Sequence, residues 1–318
     1  MLHLGFDVGG TNVAAGLVDD GYQVRFRASE RFRRGCGGEG LAALLRSLSE
    51  RLYAEAGLAG QEPEQVGVAL PGTLDPERQT VIDAHNLDFH GVPLAALVQE
   101  RFPAARVSLL NDADAATWAE LLAGALRGCR SGLLLTLGTG VGGGLIFDGR
   151  LFPGGLGRGV EPGHMLLHAG GRLCSCGQRG CAERYCSARA LAQAGRRAMN
   201  GDPNGLLARR AQNRPERVSA KLVMDCAKQG DPAAQAVFRD YVEELSAFLA
   251  TLVNLLDPEI IALGGGLGQS GEELCGPVRE LTAAKCFHKS CGRILPAALG
   301  NDAGIVGAAL AGAEPDRF

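Results

Sequence analysis

Gly10-Thr11-Asn12-Val13-Ala14-Ala15-Gly16-Leu17-Val18-Asp19-Asp20-Gly21 and Gly138-Thr139-Gly140-Val141-Gly142-Gly143-Gly144-Leu145-Ile146-Phe147-Asp148-Gly149 are two copies of one pattern. Set 128 positions apart, they share seven of twelve residues. In each, an apolar run enters a glycine turn, and a second apolar stretch leaves it for an Asp-Gly turn. That order reads as strand, tight turn, strand, turn, which is a hairpin. One such hairpin opens each half of the chain. The repeat therefore predicts a duplicated domain whose two glycine turns face a common cleft.

Outward from the repeat, short apolar runs end abruptly in Gly or an acid. They are Leu2–Phe6 before Asp7, Val66–Leu70 before Pro71-Gly72, and Val107–Leu110 before Asn111-Asp112. Leu133–Leu137 before Gly138 and Ile260–Leu263 before Gly264 follow. Nearly continuous apolar runs of this length are strands buried on both faces. Between them lie helical patterns: Leu41, Leu44, Leu45, Leu48 and Leu52; Ala113–Leu126; and a long stretch from Pro232 to Leu256, stopped by Asp257-Pro258. Alternation of this kind argues for an α/β fold with ligands at the carboxyl ends of strands. Arg150–Gly159, dense in glycine, reads as a mobile loop. The 318 residues are enough for two domains. A formal charge of −3 leaves no electrostatic footprint for nucleic acid or an anionic membrane surface. No apolar run reaches the roughly 18–20 residues of a membrane helix, and no signal peptide is visible. The expectation is a cytoplasmic protein.

Chemistry concentrates in four places. Gly138, Gly140 and Gly143 match the dinucleotide pattern G-x-G-x-x-G, but a strand rather than a helix follows, so that reading is set aside. No Gly-Lys-Ser/Thr occurs, which excludes a P-loop. Two glycine turns, each with a Thr hydroxyl, remain suited to cradling phosphate oxygens. Of the ten cysteines, Cys174, Cys176 and Cys181 crowd together with His164 ten residues upstream, a Cys3His set with tetrahedral zinc-binding capacity. A closed set of four protein ligands would be structural, and His168 and Cys186 stand near as substitute ligands. Asn111-Asp112 fits equally a helix N-cap or a carboxylate that accepts a hydroxyl proton. Asp7 is either a turn residue or a carboxylate positioning Mg²⁺ through water. Asp75, Glu77, Glu100 and Glu120 are expected on the solvated surface.

Asp7-Val8-Gly9-Gly10-Thr11, Gly138-Thr139-Gly140 and Leu263-Gly264-Gly265-Gly266 resemble the two phosphate motifs and the adenosine motif of the actin-like ATPase and sugar-kinase fold. Glu161-Pro162-Gly163-His164 and Cys174-x-Cys176-Gly177-x-x-Gly180-Cys181-x-Glu183 narrow the resemblance to the ROK family of repressors, open reading frames and sugar kinases. It extends from Asp7 to Gly304.

The resemblance implies duplicated actin-like (ribonuclease H-like) α/β domains: residues 1–114, completed by a C-terminal helix at about 302–318, and residues 115–301. It implies transfer of phosphate from ATP, with Mg²⁺, to the 6-hydroxyl of a hexose, with Asp112 as base and a structural Zn²⁺ on His164, Cys174, Cys176 and Cys181. The second nitrogen of His164 would face the sugar. Gly72, Asn86, Asn111, Asp112, Glu161, His164 and Glu183 would bind the hexose. Asp7, Gly9, Gly10, Thr11, Gly138, Thr139, Gly140, Gly264, Gly265 and Gly266 would bind the nucleotide. Glucose is the first choice, ahead of N-acetylglucosamine, N-acetylmannosamine, mannose and fructose. A homo-oligomer, dimer or tetramer, is expected. A sugar-responsive repressor would need a helix-turn-helix domain ahead of Asp7, where there is no room, and a non-catalytic sugar sensor is the other rival. Four positions depart from the family pattern. Asn12 and Ala14 stand where a Lys is common, Pro162 replaces an apolar residue, and Asp114 stands where Asn is common.

Overall fold

The computed structural model describes residues 1–311. They form two compact units. One comprises Met1–Arg130, Gly144–Val160 and the chain from Asn301 onward; the other comprises Ser131–Gly143 and Glu161–Gly300.

In the first unit the strands are β1 (Leu2–Val8), β2 (Asn12–Asp19), β3 (Val24–Arg31), β4 (Gln65–Leu70), β5 (Thr73–Leu74), β6 (Val81–Ala84), β7 (Phe89–Val92) and β8 (Arg106–Asn111). Helices α1 (Gly37–Glu55), α2 (Leu94–Arg101) and α3 (Asp112–Ala123) lie among them. The main sheet runs β3-β2-β1-β4-β8, with β1–β2 and β2–β3 antiparallel and β4 parallel to both β1 and β8. Central β1 and β4 are almost wholly buried, whereas edge strand β3 alternates between half-buried and exposed positions. A sheet covered on both faces needs apolar residues on both, and its edge does not. The smaller sheet β5-β6-β7 joins the core through Leu74, Val81 and Phe89.

The second five-stranded sheet repeats the first. It uses β9 (Gly132–Leu137), β10 (Val141–Phe147), β11 (Arg150–Leu151), β12 (Ile260–Gly264) and β13 (Arg293–Pro296) in the order β11-β10-β9-β12-β13. Here too the outer hairpin β10–β11 is antiparallel, while β12 is parallel to β9 and β13. The duplicated α/β architecture is the actin-like, ribonuclease H-like class. The second unit adds helices α4 (Glu183–Cys186), α5 (Ala188–Gly201), α6 (Leu206–Arg210), α7 (Ala220–Lys228), α8 (Pro232–Leu256), α9 (Gly265–Gly268) and α10 (Glu272–Lys285). Helix α8 has the predicted bounds: Asp231 caps Ala234 N–H, Pro232 occupies the first turn, and Asp257 ends it in a left-handed conformation.

Helix α11 (Ala303–Leu310) packs on the first sheet across a row of cross-strand partners, Gly16, Gly5 and Gly67. A Cβ at Gly5 would stand 2.3 Å from the Ile305 carbonyl oxygen, and one at Gly67 only 1.8 Å from that of Ala308. Absence of side chains there lets the helix backbone lie against the sheet. Every residue of α11 is buried. The part of the expected C-terminal helix beyond residue 311 lies outside the described residues.

Four local expectations change. The helix expected over 113–126 covers Asp112–Ala123, so a boundary at 114 would fall inside it. Glu120 is fully buried rather than solvated. Its carboxylate accepts the Ala125 N–H at 2.6 Å, satisfying the chain where α3 stops at Gly124. Asp75 is half-buried and takes the N–H groups of Gln79 and Thr80, closing the turn between β5 and β6. Of the stretch read as a mobile loop, Arg150–Leu151 pair with Ile146–Phe147, and only the remainder is loop.

Candidate functional site

In the first unit the candidate residues converge at the carboxyl ends of β1, β4 and β8. Asn111 ends β8 and caps α3, its side-chain oxygen accepting from Ala113 N–H at 2.8 Å and Asp114 N–H at 3.3 Å. Its amide nitrogen donates to Gly72 O at 3.1 Å, which leaves one amide N–H for a ligand. Because Asn111 serves as cap, Asp112 is released from that duty, although its Oδ1 still accepts Ala113 N–H at 2.8 Å. The Asp112 side chain reaches the surface, yet the protein around it strips enough solvation to push its pKa up, against the lowering effect of the backbone N–H. Asp7, at the end of β1, is pushed up to about 6, first by burial and then by the negative charge of Asp112. Asp7 and Asp112, with the charge of the second adding to the rise of the first, make a site for a cation or a proton. Gly304 makes room for Asp7, since a Cβ there would sit 2.6 Å from its carboxyl carbon.

The first glycine turn closes with Gly9 N–H on Asn12 O at 2.8 Å and leaves Thr11 exposed. Asn86 lies against Gly10, whose Cβ would meet that of Asn86 at 3.3 Å. Gly72 has φ +114°, and a Cβ there would stand 2.3 Å from Asp83 O, so only glycine fits.

In the second unit the glycine turn closes with Gly138 N–H on Gly140 O at 3.0 Å, and Thr139 is exposed. Glu183, at the start of α4, accepts Val141 N–H at 3.2 Å with one carboxylate oxygen. Its other oxygen lies 3.7 Å from Cys174 Sγ. This carboxylate therefore links the phosphate-type turn to the cysteine cluster. Gly163 rests on Val141 O, where a Cβ would come within 2.0 Å, and Pro162 is buried against Gly143. The pyrrolidine ring is thus spent on β10.

The four expected metal ligands come together, with one donor atom each of His164, Cys174, Cys176 and Cys181 within 4.8 Å of one another. Cys176 and Cys181 Sγ are 3.6 Å apart, and Cys174 Sγ is 3.8 Å from His164 Nδ1. Zinc–sulfur bonds of about 2.3 Å give a tetrahedron an edge of about 3.8 Å, so the donors fit the ion. His164 Nδ1 faces the cluster, which leaves Nε2 as the outward nitrogen. Burial and the neighbouring thiols push Cys181 up to about 12. His168 is committed elsewhere, with Nε2 2.7 Å from Glu244 and its ring on Tyr185, and Cys186 is buried outside the cluster.

Gly264 ends β12 and Gly265 turns with φ +72° against Leu137, whereas a Cβ at Gly266 would meet nothing within 4 Å. Gly266 borders a cavity of about 580 Å³, whose walls include Ser219, Lys221, Asp225, Leu267 and Gln269. A base and ribose fit such a volume. Sequence reading missed the wall from Ser219 and α7, as it missed Gly304. Helix α7 carries no motif, and only packing brings it beside Gly266.

Two sheets of one design, each with a Gly-Thr turn, define the actin-like phosphotransferase class. The chain belongs to the ROK family, whose family model matches residues 3–313. It is 33% identical over 320 residues to a glucokinase of Streptomyces coelicolor, covering 99% of this chain and 98% of that protein. It is 34% identical to a glucokinase of Thermotoga maritima, over 96% and 95% of the two chains. A crystal structure of a ROK family glucokinase from Streptomyces griseus, in complex with glucose and AMPPNP, superposes with a TM-score of 0.84 at 33% identity, covering 97% and 98%.

Proposed function

We propose that this chain transfers the γ-phosphoryl group of ATP to the 6-hydroxyl of glucose. The observation that carries this reading is Asp112. It stands at the end of β8, relieved of capping by Asn111, with its pKa raised toward that of a useful base. Full-length similarity to glucokinases supports the choice of reaction. The Asp112 carboxylate accepts the hydroxyl proton as that oxygen attacks the γ-phosphorus; the bond to the bridging oxygen breaks and ADP leaves. The N–H groups of a Gly-Thr turn are suited to phosphate oxygens, and the Gly266 cavity to the adenosine. Asp7 would hold Mg²⁺ through water, where the ion offsets phosphate charge.

Glu161, His164 and Glu183 read hexose hydroxyls. Zn²⁺ on His164, Cys174, Cys176 and Cys181 would supply rigidity, holding the His164 tautomer so that Nε2 is offered outward. Pro162 bears on which sugar is taken. Its ring is buried against Gly143, so it supplies no apolar wall for an N-acetyl methyl group. That supports glucose over N-acetylhexosamines. The test is hexose-dependent ADP release with ATP and Mg²⁺ across a sugar panel. No hexose-stimulated turnover would refute the kinase reading; a preferred sugar other than glucose would refute only the substrate.

A further inference from the structure

Two residues read from sequence as substitute metal ligands, His168 and Cys186, stand outside the donor set, and both are held by helix α8. His168 Nε2 lies 2.7 Å from Glu244 Oε2. An ionised carboxylate only accepts, so this nitrogen carries the hydrogen. The buried Tyr241 hydroxyl donates to Cys186 O at 2.6 Å. Tyr241 and Glu244 are three residues apart on α8 and so share one face of it. Their partners lie on either side of the donor cysteines. His168 N–H donates to Gly180 O at 3.1 Å, next to Cys181, and Cys186 ends α4, whose first residue is Glu183. Tyr185 joins the two sides. Its ring centre is 4.5 Å from that of His168 and 4.6 Å from Arg172 Cζ, and its hydroxyl oxygen accepts Arg172 N–H at 2.8 Å. Isolated bridges join the arms of this knuckle, Leu166 to Cys181 and Leu173 to Arg179, and both leucines are exposed. Little apolar burial holds the knuckle down there.

We propose that Tyr241 and Glu244 form a two-point clamp by which α8 sets the orientation of the cysteine knuckle, and that both, with His168, are positioning residues for the hexose. This rests on the kinase reading above, in which His164 and Glu183 are the knuckle's hexose-facing groups. Zn²⁺ would fix the four donors relative to one another, but not relative to the rest of the unit. That second task falls to Glu183 on Val141 N–H and to the clamp on α8. Releasing the clamp tilts His164 and Glu183 without touching Asp112 or the glycine turns. A displacement of about 1 Å in such groups is enough to weaken hydroxyl recognition.

The experiment uses the full chain and two readouts, steady-state kinetics and trypsin cleavage. Glu244→Ala should raise the hexose KM about tenfold while the ATP KM stays within about twofold, the pattern of a tilted binding wall. Arg179 is exposed in the knuckle, so trypsin should cut after it at least about fivefold faster in the variant, reporting local opening. Glu244→Gln keeps an acceptor for the Nε2 hydrogen and should recover part of both effects. His168→Ala should act as Glu244→Ala does, and the double variant should be no worse than the more severe single change, because the two share one contact. Tyr241→Phe removes the other point of the clamp and should reproduce the hexose effect. Where a change in α8 fails to fold, His168→Ala, on the exposed side of the contact, still tests the clamp. Glu243→Ala breaks the neighbouring α8 ion pair with Lys285 and should move neither readout. Equal changes in both KM values, unchanged cleavage at Arg179, a strictly multiplicative double variant, or the same response from Glu243→Ala would overturn the clamp. A parent chain that phosphorylates no hexose would overturn the kinase reading and leave cleavage to decide the clamp alone.

Discussion

Asn111 and Asp112 are interchangeable as helix caps by residue type, and the sequence leaves their roles open. The backbone decides between them: Asn111 is extended, at φ −65° and ψ 147°, and takes two N–H groups, while Asp112 is already helical. Asp112→Asn should therefore keep hexose binding and lower kcat by about 10²–10⁴-fold, the usual cost of a lost general base. A loss under about tenfold in folded protein would remove Asp112 from that role. Since the base must be ionised, kcat/KM of the parent should fall as pH drops through its raised pKa, above the usual carboxylate range. Asp7 yields a stability prediction of definite sign. Its folded pKa of about 6 exceeds the ordinary 3.8, so protonated Asp7 suits the fold. Its contribution is intact below about pH 4 and is lost as pH rises through 6. In nucleotide-free protein Asp7→Asn should add about 2–3 kcal/mol at pH 8 and almost nothing at pH 4, while activity collapses. Denaturant melts showing no gain at pH 8 would count against that burial.

At the scale of elements, the glycine row Gly16–Gly5–Gly67 and the cysteine knuckle each depend on an absent side chain. Gly67→Ala places a Cβ inside the Ala308 carbonyl and should destabilise the first unit by about 1–3 kcal/mol or more, measured by chemical unfolding. Nothing local in Gln65–Leu70 signals this, because glycine inside a strand reads only as a weak spot until the partner helix is known. The knuckle is different. Gly177 and Gly180 have φ +87° and +89°, and a Cβ at Gly180 would stand 1.7 Å from His168 O, so spacing and glycines together spell the loop. Cys176→Ser should release one zinc per chain and raise the hexose KM more than the ATP KM. Elemental analysis finding no zinc in the unchelated parent would end that reading.

For the whole molecule, the sugar is the sharpest expectation. Buried polar groups left unpaired by the wrong ligand give strong discrimination, so glucose should exceed N-acetylglucosamine in kcat/KM by at least about tenfold. An N-acetylhexosamine ahead of glucose would reverse the assignment and leave Asp112 and the metal ligands in place. The twelve-residue repeat, the strand-ending apolar runs and the cysteine spacing were legible from sequence because each is a local pattern with a local physical cause. Period, turn chemistry and ligand spacing need no distant partner. Glu120, Gly304, the wall from α7 and the hold of α8 on His168 were settled only by tertiary structure. Each depends on which residues far along the chain arrive beside it: Gly304 on Asp7, α7 on Gly266, Glu244 on His168. Burial, close approach and shifted pKa values are properties of such neighbours, and a sequence records the neighbours without recording that they meet.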